Sequence, residues 1–210
     1  FLIPAPATQR APTADFAAPN NKWMRLMIAA YACAGVGYVI SATFIVAILE
    51  EMPSLSGHGN LIWVMLGVAA IPSCIIWDKV AERIGETSAI IAAYSIILLS
   101  ILIPLFSESL LFNVIGALLF GATFAGIVSL MLVYVGHKFP HNPAKAMAKL
   151  TISYGIAQLI APALAGYLST LTGNYLSALW MAAAVMVTGI FFVWRIQRFE
   201  EKTQLKSANL

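Results

Sequence analysis

Charge is scarce in this sequence. Twelve Lys or Arg and nine Asp or Glu occur in 210 residues, 10% of the chain, against roughly 25% in a water-soluble domain. So few charges cannot cover a globule of this length, which excludes a soluble enzyme, a nucleic-acid reader and a disordered tail. Cysteine is nearly absent. Cys33 and Cys74 both fall in apolar stretches, which argues against a disulfide scaffold and for packing between helices. Histidine is rare too: His58 stands alone, and Pro140 interrupts the turn between His137 and His141, so no metal site is expected. The first residues lack a basic segment followed by an apolar one, so no signal peptide is read, and a chain opening on Phe1 reads as a fragment or a processed piece. What abounds is apolar: 60% of residues are AVILMFWYC, and the mean hydropathy is +0.86. These numbers describe an integral membrane protein.

A helix needs about 20 mostly apolar residues to cross about 30 Å of hydrocarbon. Six runs qualify, at 24–49, 61–77, 88–105, 110–134, 146–168 and 175–194, with Arg25 at an edge and Lys149 in a first turn from which it can snorkel. Run length and the lack of ten-residue alternation favour helices over barrel strands. All twelve basic residues lie at the same-side ends of these runs or beyond them, from Arg10, Lys22 and Arg25 through Lys79, Arg83, Lys138, Lys145 and Lys149 to Arg195, Arg198, Lys202 and Lys206. The opposite loops carry only Glu50, Glu51 and Glu108. The positive-inside rule then puts both termini in the cytoplasm, with the chain multi-pass in a cell (inner) membrane.

Three regions are expected. Residues 1–22, rich in Pro and Ala, form a cytoplasmic linker or the end of a preceding segment; 23–198 form a six-helix bundle; 199–210 form a short solvated tail. Within the bundle, Ser41-Ala42-Thr43-Phe44 echoes Gly121-Ala122-Thr123-Phe124, and Pro72 with Trp77 echoes Pro162 with Tyr167. Runs one to three and four to six therefore read as two three-helix repeats, inverted because each has an odd number of spans. The fold class is all-α integral membrane.

The basic-side loop between runs two and three reads Trp77-Asp78-Lys79-Val80-Ala81-Glu82-Arg83-Ile84-Gly85-Glu86. It resembles the cytoplasmic loop signature of the major facilitator superfamily. Glu82, Arg83 and Gly85 match the signature's acid, Arg and second Gly, whereas Asp78 stands for the first Gly and Glu86 for a basic residue. A carboxylate there can cap a neighbouring helix and pair with Arg, holding one closed state. Run five, opened by Asn142-Pro143 as N-cap and N1, continues Tyr154-Gly155 to Gln158, then Pro162 and Gly166-Tyr167. It looks like the eleventh helix of such transporters, where Gly155, Pro162 and Gly166 permit bending and close packing. With Gly35-Val36-Gly37-Tyr38 in run one, residues 23–198 are similar to the C-terminal half of the YbfB/YjiJ-like branch. The resemblance implies twelve helices, an N-terminal six-helix half as partner, alternating access and a substrate cavity between the halves. It implies no cofactor and no enzyme activity.

Candidate cavity residues follow from the helices that line such a cavity: Tyr31, Tyr38 and Thr43 from run one, Asn113 and Thr123 from run four, Tyr154 and Gln158 from run five. Asn and Gln inside a membrane are costly without a partner, so each is bonded between helices, facing a ligand or, for Asn113 near the outer end of its span, solvated at the interface. No acidic or His side chain lies mid-membrane, so a proton-coupling group, if used, belongs to the other half. A single Asn142-Pro143-Ala144 triplet in a basic loop does not make an aquaporin. A self-sufficient six-helix unit that homodimerises, as transporter or channel, stays open beside the half-transporter, with Gly121 and Ala125 as a small-residue face. The substrate is a small solute whose identity the sequence does not give.

Overall fold

The structure is a computed structural model that describes residues 21–51 and 59–208. Seven helices appear among them: α1 (Asn21–Glu51), α2 (Gly59–Ala70), α3 (Ser73–Ile84), α4 (Glu86–Phe106), α5 (Leu110–Lys138), α6 (Pro143–Thr172) and α7 (Leu176–Ala208). Taken together as one span bent by 48°, helices α2 and α3 bring the candidate crossings among the described residues from five to six. Each expected run lies inside one of these crossings, save that the sixth begins one residue early, at Tyr175 in the turn before α7. Residues 1–20 of the expected linker, and His58, lie outside the described residues.

Pro72 causes the bend. It offers no N–H to the preceding turn and its ring crowds that turn's carbonyl; the chain makes a short turn at Ile71-Pro72, and helix resumes at Ser73 with Ile76 N–H bonding the Pro72 carbonyl at 2.9 Å. Pro162 occupies the matching place in α6, yet α6 runs unbroken from Pro143 to Thr172. The two prolines are thus alike in sequence position but unlike in effect. Asn142 is the N-cap residue of α6 and Pro143 its first helical residue, but the Asn142 side chain makes no capping bond.

Packing reveals the repeat. Span one (α1) packs most extensively on spans five and six (α6, α7), while span four (α5) packs on spans two and three (α2–α3, α4); span three also packs on span six. Exchanging one with four, two with five and three with six leaves that pattern unchanged. Two inverted triplets have therefore swapped their first helices, each lodged in the other triplet.

Glycine permits the closest approaches. A Cβ on Gly121 would land on the Leu66 backbone carbonyl of α2, and one on Gly126 would enter the Trp77 ring of α3. A Cβ on Gly35 would stand 2.9 Å from the Tyr154 carbonyl of α6. The Trp77 indole donates to the Ala122 carbonyl at 3.0 Å, and the Gly126 N–H donates to Ser73 Oγ at 2.9 Å. These two α5 groups would otherwise pair with each other along the helix, so α3 is tied to the α5 backbone itself. The Gly121–Ala125 face is thus used inside the chain rather than between copies: Gly121 abuts α2, and the Ala125 carbonyl receives the Cys74 thiol at 3.6 Å. Gly155 and Gly166, expected to allow close packing, have nothing within 4 Å of an added Cβ. Close packing among the described residues requires neither of them.

Beyond residue 198 the chain continues α7, helical to Ala208. Glu200 on it accepts hydrogen bonds from Tyr134 Oη at 2.6 Å and Trp23 Nε1 at 3.2 Å, and pairs with Lys138 Nζ at 2.8 Å. It joins spans one, four and six at the basic end. Nearby, His137 Nδ1 meets Glu86 at 2.6 Å and Gln197 donates to Ser88 at 3.3 Å, adding span three to the same layer.

Between α3 and α4 a single residue, Gly85, makes the turn. Its φ of 88° and ψ of 151° lie in a region that only glycine occupies readily. Its N–H closes α3 on the Ala81 carbonyl, and its carbonyl receives Ala89 N–H to open α4, both at 2.9 Å. Gly85→Ala is expected to cost about 1–3 kcal/mol, read as a lower unfolding midpoint in detergent. A midpoint equal to the parent's would show that the turn relaxes freely.

Candidate functional site

Tyr154 of α6 lies against Tyr31 of α1, ring centroids 4.7 Å apart, and 6.4 Å from Tyr38 one α1 face further along. Tyr38 stacks in turn on Phe124 at 5.1 Å and Phe120 at 6.1 Å, both from α5. Spans one, four and five thus build one aromatic face. Tyr31 and Phe120 are buried at its base, while Tyr38, Phe124, Tyr154 and Gln158 are half-buried along it. The face exists because Gly35 lets α1 come down onto the α6 backbone at Tyr154, which sets the three tyrosines side by side.

The polar groups on this face are unspent. Gln158, one turn beyond Tyr154, makes no hydrogen bond to any described residue, and neither do the hydroxyls of Tyr31, Tyr38 and Tyr154. Other tyrosines of the bundle show the contrast: Tyr94 Oη donates to the Ala30 carbonyl at 2.7 Å, and Tyr134 Oη to Glu200. Ser41, one turn past Tyr38, is buried, and its Oγ has no partner among the described residues. An amide and three phenols in a half-buried apolar setting need water or a solute as partner.

The structure gathers Tyr31, Tyr38, Tyr154 and Gln158 of the expected cavity residues and sets the other three apart. Asn113 is buried in the hairpin between α4 and α5, its amide donating to the carbonyls of Ser107 and Ser109, both at 2.9 Å. Those bonds hold the turn and consume both amide hydrogens. Thr123 is buried within α5, roughly 100° round the helix from Phe124, and Thr43 is exposed. Phe124 was legible only as part of the repeated Ala-Thr-Phe. Glu200 gave no signal beyond being one of two adjacent acids in a mixed-charge tail.

The signature-loop charges behave differently from one another. Asp78, Glu82 and Arg83 are exposed and make no ion pair among the described residues, whereas Glu86 is taken by His137. The first three can meet something outside this bundle.

Six crossings in two inverted triplets with exchanged first helices, and an aromatic face where those helices meet, define one half of a facilitator-type membrane transporter. The family model described as uncharacterised MFS-type transporter YbfB matches residues 1–193, and the chain belongs to that family. No curated relative matches the sequence.

Proposed function

We propose that this chain is the C-terminal half of a secondary active transporter that moves a small organic solute by alternating access, with the Tyr31–Tyr38–Tyr154–Gln158 face as its contribution to the cavity. The observation that carries this reading is Gln158: a half-buried amide on a membrane-crossing helix, with no described partner, beside three equally unpaired tyrosine hydroxyls. Such groups bind a solute that offers a flat or apolar portion to the rings and hydrogen-bonding atoms to the amide. No charged side chain among the described residues lies on this face, so charge recognition and any proton coupling fall to the upstream six-helix half. The basic end faces the cytoplasm of a cell (inner) membrane by the positive-inside rule. There Glu82 and Arg83 are free to engage that other half and bias the inward–outward equilibrium.

Single cysteines placed at Tyr38 and Gln158, in a background with Cys33 and Cys74 replaced, test the cavity. Both are expected to react with a small water-soluble thiol reagent, and to be protected by a transported solute. Labelling at the rate of a lipid-facing control such as Leu159→Cys, in every state, would remove them from the cavity.

A further inference from the structure

A groove of about 650 Å³ lies between α1 and α7 at the basic end, on a different side of α7 from the Glu200 contacts. Its rim carries Lys22 from α1 and Arg195, Arg198 and Lys202 from α7, and its floor includes Leu26 and Trp194. Four cations face one groove. The single acid paired with them is Glu201, 3.3 Å from Arg198 on the exposed side, and Lys22, Arg195 and Lys202 have no ion pair among the described residues. The guanidinium of Arg198 rests 5.5 Å over the Trp194 ring and that of Arg195 5.7 Å over Phe191. Both are thereby held at the level where apolar helix gives way to charge.

Below the groove, Trp180, Val187, Phe191 and Trp194 are 42–54% exposed and share one stripe of α7, at spacings of seven, four and three. From Trp180 to Trp194 this stripe runs about 21 Å along the helix, most of the hydrocarbon thickness. A cationic groove opening onto a long apolar track matches a molecule with an anionic head and an acyl chain. We propose that the groove binds an anionic phospholipid of the leaflet at the basic end, its phosphodiester held by Lys22, Arg195, Arg198 and Lys202 and one chain laid along the Trp194–Trp180 stripe. Arginine's planar fork suits the phosphate oxygens, and Lys22 makes the lipid a bridge between spans one and six. Because α1 also carries Tyr31 and Tyr38, lipid occupancy stabilises the position of a helix that lines the aromatic face.

The test uses the full chain in phosphatidylcholine vesicles, into which phosphatidylglycerol with brominated chains is titrated while tryptophan quenching is read. Quenching is expected to saturate at a low mole fraction, and the saturable part to shrink in Trp194→Phe and to disappear when Trp180→Phe is added. Lys22→Gln with Arg195→Gln should weaken the apparent affinity roughly 30-fold, from the attraction expected of two basic side chains at a membrane surface. Lys145→Gln with Lys149→Gln removes equal charge from the same end and should change it little. Lys202→Gln, at an exposed position, repeats the test without disturbing packing and should weaken binding roughly fivefold. Equal losses in both double variants, or quenching that merely follows bulk lipid composition, would overturn the site. Inorganic phosphate that displaces the brominated lipid, where chloride of the same ionic strength does not, would show a phosphate site and overturn the lipid assignment. Retention of the lipid under phosphate supports it.

Discussion

Gly121→Val is expected to lower the unfolding midpoint of the detergent-solubilised chain by on the order of 10 °C. A valine Cβ would occupy the position of the Leu66 backbone carbonyl. A clashing side chain can change rotamer, but a backbone carbonyl in a helix can yield only if α2 moves away from α5. Overpacking of this kind costs about 3 kcal/mol at the upper end of its usual range, and each kcal/mol shifts the midpoint of a chain of this size by about 2–4 °C. Displacing α2 would also strain the adjacent ties from Trp77 to Ala122 and from Gly126 to Ser73, since both join the same two spans. Gly166→Ala is the matched control. Its Cβ meets nothing within 4 Å, and alanine favours helix over glycine by about 1 kcal/mol, so its midpoint should stay level or rise slightly. Equal midpoints for the two variants would mean that the α2–α5 contact contributes nothing to stability.

Glu200→Ala is expected to be the most damaging charge removal in the chain, costing about 3 kcal/mol. The carboxylate receives Tyr134 and Trp23 and faces Lys138, whose ammonium also lies 5.3 Å from the centroid of the Tyr134 ring. Its side chain is only 20% exposed, so water would replace these bonds incompletely. Removing one member of a buried charged cluster strands its partners, and the low end of that penalty fits the partial exposure. Glu200→Gln keeps an acceptor for Tyr134 and Trp23 but loses the attraction to Lys138, and should lose about half as much. The same substitutions should speed amide exchange at the basic ends of α1, α5 and α7 and leave the opposite ends unchanged. Uniform acceleration along all three helices, or none, would contradict a local clasp. By contrast Glu201→Ala breaks only the exposed pair with Arg198, and a change within about 1 kcal/mol is expected.

How much of this was legible beforehand depends on the kind of interaction. Crossing helices announce themselves because hydrocarbon tolerates no unpaired backbone, so apolar run length alone selects a helix. The one-sided placement of basic residues is equally local. Gly85 was marked in its loop only by its match to the signature; that it makes a one-residue turn with a backbone conformation other residues resist came from the structure. Gln158, Tyr38 and Tyr154 stood out because polar groups are rare in such runs. Asn113 stood out for the same reason, yet it serves a hairpin. Only the position of the Ser107 and Ser109 carbonyls distinguishes it from Gln158, which makes no hydrogen bond to a described residue.

The glycines show the same boundary. Gly155 and Gly166 flank a mid-helix proline, as bending and packing residues would, but they face open space; Gly121, Gly126 and Gly35 are the ones on which other helices rest. Which face of a helix meets a neighbour depends on how the two triplets interlock, and an apolar helix surrounded by lipid shows little periodicity to betray it. Glu200 was hidden for a related reason, because its partners Trp23, Tyr134 and Lys138 are distant in sequence.

The sequence by itself determined the solvent and the crossing runs, since both follow from hydration and backbone chemistry within a few residues. Tertiary structure alone decided which polar groups are satisfied and which are left open, where Pro72 bends a span while Pro162 does not, and which glycines carry contacts. Those outcomes require the exchange of first helices between the triplets. That exchange brings α1 against α6 and α5 against α2, and places residues more than a hundred positions apart within one hydrogen bond of each other.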